Sequence, residues 1–83
     1  MDSKTDTDND FPELKAIGEG LKRLRKEKGY SNYHKLAYDM GMTHSQYGGY
    51  EMGKNMNLSS LLKILRFHNI DLKMFINEYV TLD

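Results

Sequence analysis

The stretch SNYHKLAYDMGMTHSQYGGYEMGK, residues 31–54, decides how the rest of the chain reads. Tyr33, Leu36, Ala37 and Met40 recur at spacings of three, one and three, which gathers their side chains on one face of a short helix. Gly41 follows, where a left-handed backbone ends a helix easily and a missing side chain lets a second helix cross closely. Thr43 restarts the chain. The Thr43-x-x-Gln46 spacing is that of a capping box, with the threonine oxygen accepting from the Gln46 backbone N–H and the glutamine side chain reaching back to the cap. The helix that follows, expected over about Thr43 to Met52, turns Tyr47 and Tyr50 inward. Residues 32–52 therefore read as helix, turn, helix.

Upstream, Leu14, Ile17, Leu21 and Leu24 form the narrow apolar stripe of an amphipathic helix over about Pro12 to Lys28, with Asp10 and Pro12 suited to its start. Gly18 and Gly20 each lower its propensity by roughly 1 kcal/mol against alanine, so this helix depends on packing. Its last turns carry Lys22, Arg23, Arg25, Lys26 and Lys28, which complement the helix dipole and read either as a solvated face or as a phosphate-facing one. Gly29 closes the helix, and Ser31 or Asn32 caps the next. Downstream, Asn57 caps a helix whose Leu58, Leu61, Leu62 and Leu65 share a face that Ile64 and Phe67 widen, so burial on two sides is expected. Asn69 suits a left-handed turn, and Asp71 caps a last helix with Leu72, Phe75, Ile76 and Tyr79 on one face. At 83 residues the chain holds one all-α domain, expected over 11–79 between an acidic tail, 1–10, and a short tail, 80–83.

The formal net charge of zero hides a split. Residues 1–10 hold four aspartates and one lysine, a net −3, whereas Lys15 to Arg66 hold ten basic residues against Glu19, Glu27, Asp39 and Glu51, a net +6. Binding to phosphate is compatible with that middle. The acidic tail reads either as a solvated segment or as one that folds back on the basic face and competes there with phosphate groups. There is no cysteine, hence no disulfide scaffold, and no long apolar run; a cytoplasmic protein without membrane or secretory segment is expected.

LRKEKGY (24–30), KLAYDMGMTHSQY (35–47), YEMGK (50–54) and LLKIL (61–65) together resemble the Xre-type family of lambda-repressor-like DNA-binding domains, over about Leu14 to Phe75. The resemblance implies an all-α, five-helix fold, usually dimeric, whose second and third helices form a helix-turn-helix that reads duplex DNA. It implies an ion pair between Arg25 and Glu51 that locks the first helix to the end of the third. Placed by position, His44, Ser45, Gln46, Gly48 and Gly49 face the bases, while Asn32, Lys35, Thr43 and Lys54 are the phosphate candidates. Met74, Tyr79, Val80 and Leu82 are candidates for a homodimer contact or for completing the monomer core. The chain departs from the family in one place: Gly29 to Leu36 is one residue longer than its common spacing.

The third helix lacks the arginine or asparagine that would give bidentate base contacts, and Gly48 and Gly49 offer no side chain to read with. Two readings follow. Either the glycines permit close approach to DNA, with His44, Ser45 and Gln46 supplying modest specificity in a small transcriptional repressor, or the fold serves as a protein-interaction module or antitoxin-like partner protein. Catalytic, metal and cofactor sites are not expected, because His34, His44 and His68 fall on different helices without ligand spacing.

Overall fold

The computed structural model describes residues 11–82. The acidic tail with Asp10, the competition with phosphate groups expected of it, and Asp83 lie outside the described residues. Leu21, Leu36, Tyr47, Ile64, Leu65 and Phe75 are withdrawn from solvent, each contributing roughly 1.5–3 kcal/mol by the burial of its apolar surface. They are brought together by five helices: α1 (Pro12–Glu27), α2 (Tyr33–Met40), α3 (His44–Glu51), α4 (Leu58–Phe67) and α5 (Leu72–Tyr79).

The helix ends follow local chemistry. Proline opens α1 behind Phe11, which supplies no side-chain cap. Asn32 caps α2, Thr43 caps α3 and Asp71 caps α5, each accepting backbone N–H groups through its side-chain oxygen. Asn57 stands at the start of α4 without making such a bond. Gly41 ends α2 at φ 77°, and Asn69 turns the chain after α4 at φ 61°, the left-handed conformations their residue types tolerate. Leu58, expected in the buried stripe of α4, is exposed: it sits on the first turn, beyond the reach of the core that covers Leu61, Ile64 and Leu65.

α1 packs against both α3 and α5, and its two glycines are the points of contact. A methyl group on Gly18 would lie 2.6 Å from the carbonyl oxygens of Tyr50 and Glu51, and one on Gly20 would lie 2.8 Å from that of Tyr79. The propensity cost assigned to these residues is therefore the condition for two backbones to close on the helix. Arg23 reinforces the α5 side, donating to the Glu78 carbonyl at 3.1 Å with its guanidinium 4.5 Å from the centre of the Tyr79 ring. At the end of α4, burial and the nearby charge of Lys28 push the His68 imidazole down to about 4. That imidazole is neutral at neutral pH, and the stability it carries is lost as pH falls from its ordinary range near 6.5 towards 4. Among the described residues no helix is long and apolar enough to cross a membrane.

Candidate nucleic-acid interface

α2 and α3 meet through an inward face that fixes α3 firmly. Tyr47 and Tyr50 are buried, and Glu51 at the end of α3 accepts from Arg25 of α1 in a two-pronged pair, Nε–Oε2 2.8 Å and Nη2–Oε1 3.2 Å. The third nitrogen of Arg25 donates to the Tyr30 carbonyl at 3.0 Å, so the buried guanidinium is bound on three sides. The Tyr47 hydroxyl is buried beside this pair with no hydrogen-bond partner among the described residues, and its burial, then the Glu51 carboxylate, hold its pKa far above the usual phenol range. Inward packing thus orients α3 by charge and shape together.

The outward face carries the candidate reading residues. His44, Ser45 and Gln46, in the first turn of α3, are all exposed. Ser45, Gly49 and Met52 follow one another at spacings of four and three, so they form a single stripe along the outside of the helix and its cap. Met52, one of the most exposed apolar side chains of the domain at 77%, was not among the residues singled out from the sequence. Its position seven residues after Ser45 is the signal that finds it.

Three candidates behave differently from expectation. Gly48 is buried: a methyl group there would meet the Tyr33 ring at 2.7 Å, so its backbone is reserved for the crossing of α2 over α3 and does not face outward. Gly49 is half-buried under the stem of Lys54, whose Cδ would lie 3.2 Å from an added methyl group. Thr43 caps α3 through the Gln46 N–H at 3.1 Å, but the Gln46 side chain does not reach back to complete the box. It donates instead to the Tyr50 hydroxyl at 2.9 Å, one turn further on, because that hydroxyl at the core edge needs a partner.

The phosphate candidates are spread. The Asn32 side-chain oxygen accepts from the N–H groups of His34 at 3.0 Å and Lys35 at 3.4 Å, which leaves the donor NH2 of its amide for an anion. Lys35 runs the other way along α2, with Nζ 3.1 Å from Asp39. Asp39 also accepts from the Tyr30 hydroxyl, and this bond, followed by that of Lys35, holds its carboxyl below the usual range while raising the Tyr30 phenol. Such an exposed pair is screened by solvent and opens readily. Lys54 follows the turn after α3, tied by its N–H to the Gly49 carbonyl at 2.9 Å. A groove of about 380 Å³ runs beside this surface between α1 and α3, lined by Lys15, Glu19, Lys22, Tyr33, Gly48 and Met52 among others.

The structure also joins two histidines that sequence spacing kept apart. The rings of His34 and His44 stack with centroids 4.2 Å apart and planes 11° from parallel. Parallel rings place their nitrogens side by side and do not aim them at a common point, and among the described residues no group of three or more His, Cys, Asp or Glu is placed to hold a metal. Of the dimer candidates, Tyr79 and Val80 pack on the core of their own domain, while Met74 and Leu82 are exposed.

A family model described as helix-turn-helix matches residues 21–75, from Leu21 in α1 to Phe75 in α5. No curated protein and no solved structure matches the chain.

Proposed function

The chain belongs to the Xre-type helix-turn-helix family of DNA-binding regulators, and from that premise we propose that it is a small transcriptional repressor binding specific sites in duplex DNA through α3. The observation that carries the reading is the asymmetry of α3: its inner face is locked by Arg25, Tyr47 and Tyr50, while the first-turn residues His44, Ser45 and Gln46 are exposed at the end that enters a major groove. Ser45 bonds either base type, Met52 suits the methyl group of thymine, and the small stripe between them favours recognition of duplex shape over a bidentate code. Asn32 and Lys54 hold phosphates at the two ends of the unit, with Lys35 joining when its pair with Asp39 opens. A homodimer places two such helices about 34–36 Å apart along the duplex, and Met74 and Leu82 offer the exposed apolar surface for that contact.

The test is a fluorescence-anisotropy titration with duplex from the gene's own upstream region and with a scrambled duplex, each at about 50 and 200 mM salt. A native site preferred by about a thousandfold or more, with a salt-dependent affinity, supports a specific regulator. Weak and equal binding to both duplexes would sink that reading in favour of a protein-interaction module, for which the same small outward stripe is suited.

A further inference from the structure

The stacked histidines stand at the end of a row of rings that begins in the core. Buried Tyr47 lies 6.5 Å from Tyr33, Tyr33 lies 4.8 Å from His34, and His34 lies 4.2 Å from His44, measured between ring centres. Exposed His44 therefore stands at the outer end of a row of rings that reaches inward through α2. We propose that His34 is a positioning residue whose ring holds the His44 imidazole for contact with duplex DNA, and that His44 makes this contact protonated, so that binding takes up one proton per domain. The inference rests on the duplex-binding reading and names a regulation of the same surface.

Among the described residues of α2 and α3, the charge distribution favours an external partner for that proton. α2 and α3 contain two acidic side chains, Asp39 and Glu51. Asp39 is occupied by Lys35 and Tyr30, and Glu51 by Arg25 of α1, so no carboxylate of these helices is left for a charged His44. The remaining neighbours in the row, Tyr33 and Tyr47, are phenols. A duplex, by contrast, presents phosphate oxygens and the N7 and O6 atoms of guanine, all acceptors. A neutral imidazole offers one donor and one acceptor, whereas an imidazolium offers two donors and matches that surface. The His34 ring lies nearly flat against that of His44, which fixes the plane in which those donors point.

The experiment measures the affinity of the intact chain for a labelled duplex obtained by selection from a random-sequence pool, and for a scrambled duplex, between about pH 8 and pH 5.5, where imidazole changes charge. The fold is followed by circular dichroism over the same range, which stays above the value of about 4 to which the His68 imidazole is pushed. Affinity should rise about three- to tenfold as pH falls, the change expected when contact shifts one group by up to about one pKa unit. His44→Gln should flatten the profile. His34→Ala should weaken binding and flatten the profile, and His34→Phe, which keeps a ring to stack on, should restore both. A phosphate contact would give the gain on both duplexes with a salt slope steeper by about one at low pH, and a base-edge contact would confine it to the selected duplex. Binding that ignores pH, or a His34→Ala protein indistinguishable from wild type, or a His34→Phe protein as impaired as His34→Ala, overturns the proposal while leaving DNA binding standing. Absence of binding to either duplex at every pH overturns both.

Discussion

The domain carries two closely spaced pairs of helical glycines, Gly18 and Gly20 in α1 and Gly48 and Gly49 in α3, and they do different work. The first pair receives backbone: carbonyl oxygens of α3 and α5 lie within 3 Å of where methyl groups would stand. The second pair receives side chains, the Tyr33 ring over Gly48 and the Lys54 stem over Gly49. Backbone cannot step aside without moving a whole helix, whereas a ring can shift and a lysine stem can swing. The same residue type is thus a structural requirement in α1 and a graded preference in α3.

Substitutions can break this contrast or sharpen it. The largest effect is expected where α1 clamps α3: Arg25→Ala strands the Glu51 carboxylate in a buried site and should cost about 3–5 kcal/mol in chemical denaturation, so an unchanged midpoint would refute the clamp. Gly18→Ala, at the same joint, should cost about 2–3 kcal/mol, because overpacking against two carbonyls exceeds the helix propensity gained. If its melting temperature matched wild type, the contrast between the two pairs would collapse. Gly48→Ala should lose only about 1 kcal/mol, since the half-buried Tyr33 can give way, and a loss as large as that of Gly18→Ala would show the ring to be as fixed as backbone. Gly49→Ala should raise stability by about 0.5–1 kcal/mol, or several degrees in melting temperature, as Lys54 moves and the helix gains propensity. Tyr47→Phe, which removes a buried hydroxyl without a partner among the described residues, should change unfolding free energy by less than about 0.5 kcal/mol, calibrating how much of the inner face of α3 is shape and how little depends on that oxygen.

Much of this architecture is legible in the residues. Periodicity fixes the helices, and Asn32, Gly41, Thr43 and Asp71 mark their ends, because caps and helix faces are local properties. The Arg25–Glu51 pair comes from family likeness, since no spacing rule links residues on separate helices. What stays hidden depends on where two elements meet. Gly18 and Gly20 look like weak points until α3 and α5 arrive, and Gly48 looks like open backbone until Tyr33 covers it. Gln46 satisfies the capping spacing, yet its side chain goes to Tyr50, a competitor that the capping pattern does not include. His34 and His44 become neighbours only through the angle at which α2 and α3 cross. The candidate interface is accordingly read less completely than the fold, its membership being set by crossing geometry.

Gly18 and Gly20 are two residues apart, which on a helix places them about 200° around the axis, on nearly opposite sides of α1. The first of the five helices is thus the middle layer, with the reading unit on one side and α5 on the other. During synthesis it emerges ahead of both partners and keeps one side bare until α5 has left the ribosome. A chain stopped after α4 would contain every candidate DNA-facing residue and still lack the surface that closes over Gly20, so this packing, and any binding that depends on it, is completed only by α5.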